Sequence, residues 1–288
     1  MAEKKILIAG LPDAGKTTYI AALNGVMTQD GDFCLHSDGK ASEWAYVNDM
    51  TKKWLAGETV THSTDGETKF IKWPLKDKND QRIDLTIPDM KGEHYYDIIN
   101  NDFDPKLAEF CQGADGILFF INGMSRFMLK EHYMEMQKDR EEKKNEAADN
   151  TKQVNNVTEA AKQREKADKI KLKPENMQDV TKNLLVIKYL RELMGNVKIV
   201  VAISCWDERG DYKTIEEYFK KVCPALYNYV RKNFNAHMFC GISAQGAKYG
   251  TEDTTNLNEL TETGKRAYIF INEKVYDLAM PLEYLIKE

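Results

Sequence analysis

The sequence has no excess of basic charge, no cysteine framework and no long hydrophobic run. Its 41 Lys and Arg stand against 46 Asp and Glu, a formal net charge of −5 over 288 residues. That mildly acidic balance argues against a dedicated nucleic-acid binder. The five cysteines (Cys34, Cys111, Cys205, Cys223 and Cys240) are odd in number, scattered, and form no C-x-x-C. Neither a disulfide scaffold nor a zinc site is expected, and the pattern fits a reducing compartment. No apolar run approaches the roughly 18 residues that span a bilayer. The early stretch 6–9 is too short for a signal-peptide core. The expectation is a cytoplasmic protein with no membrane span. What is present is 42% hydrophobic and 30% charged residues, enough apolar material for a sizeable core. At about 150 residues per domain, the length allows one enlarged domain or two small ones.

Residues 4–9 form a short apolar run ending at Gly10, which reads as a buried strand. In 17–27, Ile20, Leu23 and Met27 recur at helical spacing. Residues 70–75 and 82–87 are strand-like and joined by a polar turn, which predicts an antiparallel hairpin. The near-continuous apolar runs 116–121 and 197–203 suit central strands covered on both faces. A shorter strand is expected at 237–242 and a closing helix over 264–278. Strands alternating with helical material predict a three-layer α/β domain around a mostly parallel sheet. One region departs from this. Over about 138–173 roughly half the residues are charged and aromatics are absent. Its composition predicts a solvated helical hairpin or a partly disordered insertion, or else a surface that docks a partner. Pro174 punctuates the chain, and 180–193 resumes an amphipathic helix.

Gly10-Leu11-Pro12-Asp13-Ala14-Gly15-Lys16-Thr17 matches G-x-x-x-x-G-K-[ST] in full. A polyphosphate needs several inward-pointing backbone N–H groups, and the turn that aims them needs glycine where a side chain would collide. Lys16 supplies a point charge for the β- and γ-phosphates. The Thr17 hydroxyl can ligate Mg²⁺, and the helix that begins there turns its positive dipole end on the anion. A preceding strand and a following helix supply the context this motif requires.

Asp89, at a strand end, is followed three residues later by Gly92, and Glu93 and His94 come next. Asp89 can hold Mg²⁺ and the Gly92 N–H can approach a γ-phosphate; alone, D-x-x-G is usually just a turn. In 57–64, Thr64 and Thr61 are both candidates to complete the cation's shell, though threonine is also ordinary loop filler. The strand 199–203 ends in Ser204-Cys205-Trp206-Asp207. Asp207 sits where a carboxylate can accept both N1–H and N2–H of guanine, a pattern adenine lacks. Further on, Ser243-Ala244 follows a strand, where a backbone N–H can meet the guanine O6.

In this order of motifs the chain resembles the Ras-like P-loop small GTPases. Its Gly-Leu-Pro-x-x-Gly-Lys-Thr-Thr opening is also similar to the bacterial double-GTPase branch, a group associated with conflict and defence gene systems. The resemblance covers about 4–125 and 180–288 and leaves the charged insertion outside. It implies a P-loop GTPase-like fold over 1–288 with a six-stranded sheet, one antiparallel edge strand, and an insertion at about 130–178. It also implies a GTP/GDP cycle with bound Mg²⁺, and an effector or activating protein, with the insertion as one place for it to dock. Carried over residue by residue, the phosphate loop is Gly10, Pro12, Asp13, Ala14, Gly15, Lys16, Thr17 and Thr18. Thr17, Asp89 and a switch threonine (Thr64 or Thr61) serve the metal. Gly92 senses the γ-phosphate, while Asp207, Ser243 and Ala244 read the base.

The departures from that plan matter. Ser204 and Cys205 stand where the family has Asn and Lys, so the Lys stem over the base is missing; Trp206 packing nearby is one substitute. Glu93 replaces the glutamine that orients water, and His94 beside it is a second candidate; the catalytic group is thus Lys16, Glu93 and His94. Pro12 and Asp13 replace a glycine-rich loop, and no arginine finger is evident. Slow intrinsic turnover is expected. A GTP-binding switch with weak hydrolysis is favoured over a nucleotide-bound scaffold that scarcely hydrolyses, and over an ATP-using P-loop enzyme or phosphotransferase. Equal conformations in GDP and GTP would favour the scaffold, and ATP outcompeting GTP the enzyme.

Overall fold

The computed structural model describes residues 2–29, 31–60, 68–89, 94–99, 104–124, 177–209, 212–247 and 266–287. The charged insertion, Thr61, Thr64, Gly92 and Glu93 therefore lie outside the described residues.

Strand β1 (Ala2–Gly10) leads into helix α1 (Lys16–Met27). Then come β2 (Leu35–Ser37), α2 (Trp44–Leu55), β3 (Lys69–Asp77) and β4 (Arg82–Asp89). The short helices α3 (His94–Ile99) and α4 (Pro105–Gln112) precede β5 (Gly116–Ile121). After the insertion follow α5 (Asp179–Met194), β6 (Lys198–Ser204), α6 (Ile215–Val222), α7 (Pro224–Asn233) and β7 (His237–Ser243). Strands β8 (Tyr268–Phe270) and β9 (Lys274–Val275) and helix α8 (Met280–Ile286) complete the order.

Among the described residues these strands form a nine-stranded sheet in the order β2-β3-β4-β1-β5-β6-β7-β8-β9. The central strands β4, β1, β5, β6 and β7 run parallel. Antiparallel pairs extend both sides, β2 and β3 next to β4, and β8 and β9 next to β7. The six-stranded sheet with one antiparallel edge is thus corrected to nine strands with antiparallel additions at both edges. The extra strands are only two or three residues long, too short for an alternating pattern to register. The closing helix expected over 264–278 is also corrected. Tyr268-Ile269-Phe270 is aromatic and β-branched and pairs with β7. The helix starts instead at Met280, with Pro281 in its first turn.

Apolar strands alternate between two cores. Ile6, Ile8, Leu118, Phe120, Val200 and Ala202 face one side, with Ile20 of α1, Trp54 of α2 and Leu282 of α8. Leu7, Ile117, Phe119, Ile199, Val201 and Ile203 face the other, under Leu107, Val186, Leu190, Phe219 and Val230. Burial on both faces is why these strands read as unbroken apolar runs. Full burial of one such Leu or Ile side chain contributes roughly 1.5–3 kcal/mol. Local signals set the helix ends. Asp104 and Thr214 accept hydrogen bonds from Leu107 N and Glu217 N as N-caps, and Gly195 follows α5 at φ 73°.

Helix α2 had no counterpart in the sequence reading. Val47, Met50, Thr51 and Trp54 are buried at 3- and 4-residue spacing against α1. Gly25 makes the approach possible, because a Cβ there would lie 2.5 Å from Trp54 Cζ3. No described helix is long and apolar enough to cross a membrane.

Candidate functional site

Strand β1 pairs with β4 on one side and β5 on the other. Connections leave in opposite directions from such a point, which opens a crevice at the carboxyl ends of the strands. The phosphate-loop, acid and base-reading segments all sit there, at the ends of β1, β4, β6 and β7.

The loop after β1 is built from constrained backbone. Gly10 adopts φ 149°, and a Cβ on it would lie 2.5 Å from the Phe120 carbonyl oxygen of β5. Asp13, exposed, takes φ 57° and Gly15 φ 86°. Ala14 N–H donates to Leu11 O at 3.3 Å, closing the turn beside half-buried Pro12. Helix α1 then begins without a side-chain cap and without an acid in its first turn. The positive end of its dipole favours an anion at this end. Lys16 is buried, and its Nζ donates to Gly10 O at 2.8 Å and Leu11 O at 3.0 Å. The ring of Tyr95, on α3, lies 5.7 Å below that ammonium. The Tyr95 hydroxyl donates to Ile8 O, and burial pushes its pKa well above the usual tyrosine value.

Thr17 and Asp89 meet across the crevice, with the hydroxyl 3.3 Å from one carboxylate oxygen. The other Asp89 oxygen accepts a 2.6 Å hydrogen bond from Tyr46, in the first turn of α2. The Lys69 ammonium sits 4.2 Å from the Tyr46 ring centre. This pair of hard oxygen donors fits Mg²⁺, which takes one or two protein groups and fills its shell with water and phosphate oxygens. Among the described residues no cluster of three or more His, Cys, Asp or Glu offers an all-protein cage. His94 begins α3, with Nδ1 3.8 Å from Asp97 of its own helix.

Two of the residues expected to read a base, Asp207 and Ala244, lie at the same place. A cavity of about 200 Å³ is lined by Gly15 and Thr18 on the phosphate side. Ser204, Cys205, Asp207 and Ala244 line it on the other. Ser204 donates to Ile121 O at 3.4 Å and abuts Gly15. Cys205 takes φ 51°, a left-handed conformation uncommon for a side-chain-bearing residue. The residue is exposed, and desolvation of its sulfur, then the neighbouring Asp207 charge, pushes its thiol pKa up. The turn Trp206–Arg209 carries Asp207. Ser243 is fully buried and accepts from Gly246 N at 3.1 Å, which closes the loop bearing Ala244.

Trp206 does not line the cavity. It is buried, stacked on Phe270 at 5.1 Å and set edge-on to Tyr218 at 5.3 Å. Gly241 leaves it room, since a Cβ there would lie 2.4 Å from the indole. Trp206 therefore anchors the turn from behind rather than covering a base. Arg209 donates to Gly123 O, tying that turn to the end of β5.

A sequence model of the Double-GTPase 1 family matches residues 7–285. The chain belongs to the Double-GTPase 1 family. No curated protein matches it. Among solved structures it is similar to Methanosarcina barkeri Roco2 RocCORdC bound to GDP, at 15% identity and a TM-score of 0.34. That similarity covers 90% of this chain and 49% of the other, so this member of the family spans about half that solved chain's length. The match to the Double-GTPase 1 model runs across the insertion as well as both flanking parts.

Reasoning from sequence missed Tyr46, Tyr95, Trp54 and the cavity residues Met124, Glu208, Gln245 and Ala247. The spacing of Val47, Met50, Thr51 and Trp54 was the available signal for α2. Nothing local to Tyr46 marks it as a partner of Asp89.

Proposed function

We propose that this chain is a GTP-binding switch that hydrolyses GTP to GDP slowly with Mg²⁺ and changes shape between the two states. One observation carries the reading: Gly15 and Thr18 of the phosphate loop and Asp207 with Ala244 line a single cavity. A purine nucleotide seated there would have its phosphates over the N-terminus of α1 and its Watson–Crick edge toward Asp207. The family's name points the same way.

In this reading the roles follow from chemistry. Backbone N–H groups of the loop and Lys16 neutralise the β- and γ-phosphates. Thr17 and Asp89 would hold Mg²⁺, which would supply charge neutralisation to the phosphates. Thr64 or Thr61 completes the shell and Gly92 meets the γ-phosphate. Glu93 or His94 orients the attacking water, and a carboxylate does so poorly beside a polyphosphate, hence the slow turnover. Asp207 accepts from N1–H and N2–H, and the Ser243–Ala244 segment donates to O6. Residues 1–288 act as one domain in the cytoplasm, and the insertion at about 130–178 is where an effector or activating protein docks.

The test is Lys16→Ala in the full chain. Nucleotide binding should be lost while the circular dichroism and melting temperature stay near wild type. Unchanged affinity would remove the phosphate loop from the account. Limited proteolysis should also differ between GDP and a non-hydrolysable GTP analogue; identical patterns would replace the switch by a scaffold.

A further inference from the structure

Helix α2 reaches both ends of the site. Its first turn supplies Tyr46 to Asp89, and its last turn supplies Trp54 to the loop after β7. The Trp54 indole N–H donates to Ala244 O at 2.7 Å, though Trp54 itself does not line the cavity. Trp54 is completely buried, its ring occupying the space left by Gly25.

Arg266 locks this arrangement from a third direction. Its guanidinium is 1% exposed and lies 4.2 Å from the Trp54 ring centre. Nη2 donates to Trp54 O and, at 3.4 Å, to Gln245 Oε1, while Nη1 donates to Leu55 O at 3.3 Å. A charged group this deep is held because it satisfies the carbonyls ending α2 and the side chain of the base loop together. Since a guanidinium only donates, the Gln245 oxygen must face it. The amide nitrogen is then turned away, and it is a buried donor with no partner among the described residues. Gln245 is 7% exposed and lines the cavity.

The peptide joining Ala244 to Gln245 is trans. In a trans peptide the C=O and the following N–H point in opposite directions. Drawing the Ala244 carbonyl toward α2 therefore turns the Gln245 N–H the other way, and both residues line the cavity. We infer that Trp54 and Arg266 are positioning residues for base selection: they fix the 244–245 peptide so that backbone N–H donors of this loop face the 6-position of guanine. This rests on the guanine-nucleotide reading above. It assigns to α2 and Arg266 part of the selectivity that Ser204 and Cys205 do not supply. Adenine presents a donor at that position, and the fixed donors reject it.

The experiment is competition binding to the full-length chain in Mg²⁺, using GDP, 6-thio-GDP, IDP and ADP, for wild type and Trp54→Phe. Phe keeps an aromatic ring at this position but has no N–H to donate. 6-thio-GDP exchanges the O6 acceptor for a weaker one, and IDP lacks only the 2-amino group that Asp207 reads. Wild type should prefer GDP over each of the other three. Trp54→Phe should lose about fivefold of its preference for GDP over 6-thio-GDP, the scale of one net hydrogen bond. Its GDP-over-IDP ratio should stay unchanged. A merely structural role would weaken all four ligands together, and that result, or an unmoved 6-thio ratio, overturns the inference. Should Trp54→Phe fail to fold, Arg266→Lys carries the test with the same expected ratios, because an ammonium cannot hold Trp54 O and Gln245 Oε1 in one plane. A wild type indifferent between GDP and ADP overturns the guanine reading itself. A wild type with that preference and an unmoved variant overturns this inference alone.

Discussion

Tyr46→Phe removes one oxygen from the molecule and leaves its ring under the Lys69 ammonium. The lost hydroxyl donates at 2.6 Å to Asp89, whose carboxylate is 4% exposed and lies 3.3 Å from Thr17. Hydrogen bonds to charged groups contribute about 1.5–3 kcal/mol. Tyr46 is only half-buried, so water recovers part of the loss and the lower end applies. With Asp89 and Thr17 holding Mg²⁺, a loosened carboxylate should raise the Mg²⁺ concentration for half-maximal GDP retention about tenfold, the equivalent of roughly 1.4 kcal/mol. The assay is release of a fluorescent GDP analogue across a Mg²⁺ titration, with a parallel titration in excess chelator. Metal-free affinity should be the same in wild type and variant, because the lost hydroxyl acts on the Asp89 carboxylate. An unchanged Mg²⁺ midpoint would refute the reasoning and leave Tyr46 as a packing residue. An equal loss with and without metal would mean that α2 had shifted as a whole.

Three further outcomes are expected. Asp207→Asn should lower the preference for GDP over ADP by at least about tenfold, since a bidentate carboxylate is exchanged for an amide; an unmoved ratio takes Asp207 out of the base site. Gly10→Ala should destabilise the fold by about 2–3 kcal/mol, because its Cβ would lie 2.5 Å from backbone oxygen of Phe120, and a denaturant melt with an unshifted midpoint would contradict this. Stability should also fall on the alkaline side. Burial pushes Cys111 and Cys223 from 9.0 up to about 12, and Tyr268 from 10.0 to about 12. A raised folded-state pKa means the native chain holds its proton more tightly, so this stability is complete below pH 9 and drains away between pH 9 and 12. A melting temperature level from pH 8 to 11.5 would overturn that assignment.

The strands and the cradle were legible because each is signalled locally. Residues 116–121 are apolar without interruption because both faces of β5 are covered, and in the phosphate loop Gly10 answers to the Phe120 backbone and Gly15 to its positive φ beside the Ser204 side chain. Less was legible where a residue's role depends on something distant in sequence. Tyr46 is 43 residues from Asp89, and Trp54 is 190 from Ala244. No periodicity can express such pairs. Trp206 was misplaced for the same reason: the ring could face either the cavity or the core, and Gly241 and Phe270 decide it. The edge strands failed differently. β8 is held by pairing to β7 and β9 by pairing to β8, rather than by any pattern of their own.

The central claim is that one cavity reads guanine at one end and phosphates at the other. Competition titration of the purified chain with GDP, GTP, ADP and ATP in Mg²⁺ tests it most directly. Guanine nucleotides should win by at least an order of magnitude, about 1.4 kcal/mol. ATP or ADP binding equally well would contradict the claim, and would reduce the Trp206–Arg209 turn to the end of a strand.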